Sequence, residues 1–135
     1  MDLIEMKYPS YEEYIPGKRA ESKVLGTGYY KDYEWFIISY FTHPCAYVVA
    51  KENDTIYGVN YNEIDFIDVH GGLTYSDWGL SNNKSEDFWV IGWDYAHYGD
   101  YLPYDLSEDN KQWTTEEIYE HVKDVINQIK GEESD

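Results

Sequence analysis

The chain has 135 residues, with 27 Asp and Glu against 10 Lys and Arg, a formal net charge of −17, and aromatic residues make up 19% of it. Acidic disordered segments are poor in aromatics, so this composition predicts a folded chain, and the length suits one domain with a single core. Binding to duplex DNA or to an anionic membrane needs clustered Lys and Arg, whereas Lys18-Arg19 is the sole adjacent basic pair here.

No apolar run reaches the roughly 18 residues that cross a bilayer. The start, Met1-Asp2-Leu3-Ile4-Glu5, is acidic where a secretory signal would be basic and then apolar, so a cytosolic protein is expected. A lone cysteine, Cys45, excludes an internal disulfide and a cysteine-rich zinc site. Within Pro44-Cys45-Ala46-Tyr47-Val48-Val49 it reads as a small buried hydrophobe rather than a nucleophile.

In chain order, residues 1–21 carry turn chemistry (Tyr8-Pro9-Ser10-Tyr11, Ile15-Pro16-Gly17-Lys18) and are expected as an arm lying on the domain or capping an edge. Residues 22–94 read as mainly β. Lys23 to Tyr30 and Glu34 to Phe41, parted by Lys31-Asp32-Tyr33, predict a hairpin, with Gly26-Thr27-Gly28 marking a bulge. Ala46 to Ala50, Ile64 to Leu73 and Phe88 to Trp93 predict further strands, with Ser76 to Asp87 as a surface loop. Thr114-Thr115-Glu116-Glu117 has capping-box spacing, and Ile118, Val122, Val125, Ile126 and Ile129 form one apolar stripe at helical period. That predicts a helix over 114–130, ended by Gly131, and an acidic tail over 131–135. The expected class is α+β, an antiparallel or mixed sheet packed by one C-terminal helix, in a single domain over 1–135.

Two segments concentrate glycine, titratable groups and aromatics. One is Val69-His70-Gly71-Gly72-Leu73-Thr74-Tyr75-Ser76, where a strand carries a histidine to a Gly-Gly pair able to take positive φ. The other is Trp93-Asp94-Tyr95-Ala96-His97-Tyr98-Gly99-Asp100, where acids bracket a histidine after a strand. The binding reading has His70, Gly71, Gly72, Thr74, Asp94, His97 and Asp100 meeting at adjoining strand ends, with Tyr75 and Trp93 as stacking surfaces. A divalent metal on two imidazoles and two carboxylates is a second reading, although no template of fixed offsets is matched. The bland reading has both histidines fixed by hydrogen bonds, the aspartates capping loops and the glycines making a bulge. Nucleophilic catalysis finds little material, since no Gly-x-Ser-x-Gly elbow is present and Cys45 lacks an evident partner. His43 reads as a loop residue and His121 as a flank of the helix stripe.

The run Cys45-Ala46-Tyr47-Val48, then Tyr57-Gly58, then His70 to Ser76, then Gly92-Trp93-Asp94-Tyr95-Ala96-His97-Tyr98-Gly99-Asp100-Tyr101-Leu102-Pro103 and a closing acidic helix resembles a family of small proteins encoded by bacteriophages and prophages. The resemblance spans about Ser39 to Ile129. Tyr95 stands where that family favours a small residue or Cys, and Trp93 where Phe is commoner. The resemblance implies a phage origin and action in the host cytoplasm, with no settled activity. Accessory phage proteins of this size commonly counter host defence, by sequestering a small signalling nucleotide or by blocking a protein surface.

Three functions follow as expectations. The first is a non-enzymatic protein that binds and sequesters a small ligand, a nucleotide-derived immune signal, with no cofactor. Its net charge repels an anion, so local positive potential is required, and a second subunit of a homo-oligomer is one source of it. The second is an acidic, DNA-mimic-like inhibitor of a host defence protein. The third is a metal-dependent hydrolase using His70, Asp94, His97 and Asp100.

Overall fold

The computed structural model describes residues 2–14, 22–79, 88–105 and 109–134, with side chains to 131. Among the described residues the protein is α+β: five strands, numbered in chain order and lying in the order β1-β2-β3-β5-β4, make one antiparallel sheet, and one C-terminal helix packs on it.

β1 (Lys23–Tyr30) and β2 (Tyr33–Ser39) form the expected hairpin. Its turn is only Lys31-Asp32, at φ +50° and +68°. Positive φ at both positions gives the two-residue turn whose twist matches that of paired strands. The register slips between Val24 and Gly26, leaving Leu25 as a bulge whose carbonyl accepts from Ile4 N–H at 2.7 Å. Residues 2–14 run over this edge: Met6 is buried, its N–H donates to Thr115 Oγ1 at 3.1 Å, and Tyr8 Oη donates to the Trp113 carbonyl at 2.7 Å. The segment 15–21 lies outside the described residues.

β3 (Pro44–Ala50) is central and buried along its whole length, as a strand with a neighbour on both sides requires. β5 (Trp89–Asp94) pairs with it, and β4 (Tyr75–Trp78) pairs with the outer edge of β5. Alternation sends Trp35, Ile37, Ala46, Val48, Ile91 and Trp93 to one face. There α1 (Thr115–Ser134) lays down the apolar stripe from Ile118 to Ile129. Its N-terminus is capped as the spacing predicted: Glu117 N–H donates to Thr114 Oγ1 at 3.1 Å, and Thr114 N–H to Glu117 Oε1 at 2.9 Å. The helix continues through Gly131 to Ser134, because an interior glycine costs only about 1 kcal/mol and nothing forces the chain out of helix there.

One expected strand is absent: Ile64 to Leu73 is irregular after a 3₁₀ turn at Tyr61–Glu63. Its apolar residues pack singly on the helix side of the core, Ile67 fully and Ile64, Phe66, Val69 and Leu73 partly. Its backbone bonds to the helix instead of a strand, since Gln128 accepts from Asp68 N–H at 2.6 Å and donates to Asp68 O at 2.7 Å. Of the loop expected over Ser76 to Asp87, residues 76–78 belong to β4 and residues 80–87 lie outside the described residues.

Candidate functional site: a histidine and carboxylate cluster

The site begins where β5 ends. Cys45 of β3 faces Asp94 of β5, and Tyr95 N–H donates to the Pro44 carbonyl at 3.1 Å, which sets His43 beside the residues leaving β5. The chain then folds back on itself. Ala96 N–H donates to Asp94 Oδ1 at 3.1 Å, His97 N–H to Asp100 Oδ2 at 2.9 Å, and Asp100 N–H to the His97 carbonyl at 2.9 Å. Gly99, at φ +94°, makes the reversal possible.

Asp100 is the hub. It is 2% exposed, and besides His97 N–H it receives His70 Nε2 at 2.8 and 2.9 Å and the Trp113 indole N–H at 2.8 Å. A buried carboxylate holds its charge only when donors surround it, and here three separate segments supply them. His70 comes from the turn before β4, where Val69 O accepts from Gly72 N–H at 2.8 Å and both Gly71 and Gly72 have positive φ, +70° and +78°. A side chain at Gly71 would also run into the His97 ring.

Asp94 organises a second, shallower layer. Its Oδ2 accepts from Thr74 Oγ1 at 3.0 Å, and Oδ1 lies 3.1 Å from His97 Nε2. That approach is ion-pair distance without hydrogen-bond alignment, so the buried Nε2 has no aligned partner among the described residues.

Behind the carboxylates the rings are stacked. His70 lies on Tyr95 at 5.2 Å and 7°, and Tyr95 lies beside His121 of α1 at 5.8 Å and 9°. Trp113 is tilted against His70, Tyr95 and His121 at 4.9, 5.4 and 5.1 Å. Tyr95 Oη takes the Trp93 indole N–H at 2.9 Å and lies 2.7 Å from His121 Nδ1. An indole N–H can only donate, so Tyr95 Oη accepts from Trp93 and has its own proton to offer His121 Nδ1. Burial, and then the neighbouring His70, hold His121 below the usual imidazole value. Burial does the same to His43, against the pull of Asp94 and Asp100.

All four histidines of the chain therefore collect at one end of the sheet. Three are hydrogen-bonded through one nitrogen, His43 Nδ1 with Thr42 Oγ1 at 3.0 Å, His70 Nε2 with Asp100 and His121 Nδ1 with Tyr95, while His97 Nε2 faces Asp94 at 3.1 Å without an aligned bond. The other ring nitrogen of each has no hydrogen-bond partner among the described residues.

His70, Gly71, Thr74, Asp94, His97 and Asp100 are brought together as the two motifs suggested, with Gly72 in the same turn. Two of the expected binding residues are placed elsewhere. Trp93 is 1% exposed and faces the core, because β5 alternation sends it to the helix side, so it offers no stacking surface to a ligand. Tyr75 lies on the opposite face of the sheet, edge-on to Tyr47 at 5.5 Å. Half-buried Trp113 supplies the indole face at the cluster, with Lys111 Nζ 4.3 Å from its ring. Trp113, Tyr95, His43 and His121 were not singled out by motif. Tyr95 lay inside one, but the others arrive from distant segments.

No group of three or more His, Cys, Asp or Glu side chains among the described residues is disposed to hold a metal ion. Among them, no helix is long and apolar enough to cross a membrane. The molecule is thus a small α+β protein with a histidine and carboxylate cluster at one end of an antiparallel sheet. No protein-family model, curated protein or solved structure matches the chain.

Proposed function

We propose that this chain is a phage-encoded accessory protein, acting in the host cytoplasm, that binds and sequesters a small nucleoside-containing ligand at the histidine cluster without reacting with it. The carrying observation is that four imidazoles gather at one end of the sheet, three of them (His43, His70 and His121) hydrogen-bonded through one nitrogen and the fourth, His97, with a buried Nε2 that has no aligned partner among the described residues. Positioned rings with spare nitrogens are preorganised to exchange hydrogen bonds with ribose hydroxyls and base edges, and little side-chain entropy remains to be lost on binding. His70 and His97, 24% and 32% exposed, form the accessible rim, and the Trp113 indole offers a stacking face. Lys111 supplies positive potential, although its ammonium is shared with Glu117 at 2.7 Å. A nucleoside fits this charge balance better than a bare phosphate would.

Two features favour binding over catalysis. Burial pushes the Cys45 thiol up to about 12, far from a reactive thiolate, and the Ser76 hydroxyl already accepts from Tyr61 N–H at 3.0 Å. Calorimetry against cyclic di- and trinucleotides and ADP-ribose derivatives tests the proposal. One class should bind and be recovered unaltered; no binding by any of them, at neutral or slightly acid pH, would remove the proposal, and a degraded ligand would replace sequestration by hydrolysis.

A further inference from the structure

The sheet face turned away from α1 carries a second apolar cluster, Cys45, Tyr47, Val49 and Val90, with Phe36, Ile38, Tyr75 and Phe88 packed on it. The described residues in this cluster all come from the sheet itself, apart from Phe88 at the start of β5. Cross-strand partners share a face, so the pairing spells out its surface row by row. Val24, Ile38, Cys45 and Asp94 make one row; Thr27, Phe36, Tyr47, Gly92 and Tyr75 the next; Val49, Val90 and Asp77 fall in a third, with the pair Tyr29 and Glu34 beyond Phe36. The centre is apolar and buried, Cys45, Tyr47, Val49 and Val90 being 1–8% exposed, and the half-buried Phe36, Ile38, Tyr75 and Phe88 make its accessible part. Asp94 and Asp77 stand on its β5 and β4 side, Glu34 on its β2 side.

Val24 and Tyr29 are 51% and 72% exposed on this side of the sheet, a large apolar investment for a chain so rich in charge. At the β1–β2 turn the face runs into a cavity of about 260 Å³ with Val49 and Ala50 at its base, Tyr29 and Phe88 as walls, and Asp32, Glu34 and Glu52 around it. Lys51 also lines it and lies 4.2 Å from the Tyr33 ring. An aliphatic stem ending in a cation matches such a recess: the methylenes cover the base, the head meets carboxylates and ring faces. Two copies meeting through this face would set Glu34, Asp77 and Asp94 of each against the other, on chains that already carry −17 apiece.

We propose that this face is the docking surface for a protein partner that presents an apolar patch ringed by Lys or Arg, one of whose side chains enters the cavity beside Glu34. It adjoins the histidine cluster and shares Asp94 with it.

Two peptides of equal length and charge test the proposal, one alternating arginine with leucine and one alternating arginine with serine, titrated at near-physiological salt with hydrogen-exchange footprinting of the full chain. The arginine–leucine peptide should bind about tenfold more tightly, since leucine adds apolar burial that serine lacks, and should protect β1 and β2 amides. Glu34→Lys and Phe36→Ser, each checked for native circular dichroism, should weaken it by about tenfold. Equal affinities, no binding, or protection away from β1 and β2 would overturn the proposal. So would sedimentation showing a dimer whose interface protects this face, which would make the occupant a second copy.

Discussion

Asp100 accepts from His70, Trp113 and the His97 amide while 2% exposed, so removing it orphans three donors at once. Asp100→Ala should cost about 3–5 kcal/mol in urea unfolding, the range for breaking a buried charge-assisted network. A loss near that of an ordinary surface substitution would mean the donors find water instead. Tyr95→Phe deletes one oxygen and leaves both the Trp93 indole and His121 Nδ1 without their partner. About 1–3 kcal/mol should be lost, the usual cost of stranding buried polar atoms. Gly71 joins two demands, φ +70° and contact with the His97 ring. Gly71→Ala should therefore both destabilise, by about 1–3 kcal/mol, and displace His97, so ligand affinity should fall even where the protein stays folded. Unchanged calorimetry in that variant would show that His97 is no part of the site.

At the scale of elements, what sequence could show was what neighbours in sequence decide. The hairpin turn, the capping box of α1 and its apolar stripe each depend on residues a few positions apart, and all three stand where their spacing placed them. Ile64 to Leu73 has the apolar content of a strand, but periodicity cannot say whether such residues face a sheet or fill the flank of a helix. Gln128, sixty residues on in the chain, decides it by taking the Asp68 backbone. The candidate site divides the same way. His70, Asp94, His97 and Asp100 were legible because two short motifs hold them, whereas His43 and His121 read as bystanders until strand pairing and helix packing delivered them. Capping offers a direct check at this scale. Thr114→Ala removes the oxygen that accepts from Glu117 N–H and should cost about 1 kcal/mol by thermal or urea unfolding, while no change would mean that solvent caps the helix equally well.

For the whole molecule, charge and protonation act together. Burial depresses His43 and His121 below 6.5, so the unfolded chain binds protons more readily than the folded one. The stability they contribute is complete above pH 6.5 and is lost as pH falls through that value toward their folded-state pKa values. Melting temperature should accordingly decline between neutral pH and about pH 5.5, before most carboxylates begin to titrate. A rising or flat profile over that interval would contradict the burial that depresses His43 and His121. The most direct test of the central claim is to follow the imidazole signals of all four histidines by NMR while cyclic nucleotides and ADP-ribose derivatives are titrated in at neutral pH. One ligand class should move the resonances of His70 and His97 strongly and those of His43 and His121 with them, in a single saturable transition. A ligand that binds without disturbing the imidazoles, or a full panel that moves none of them, would contradict it.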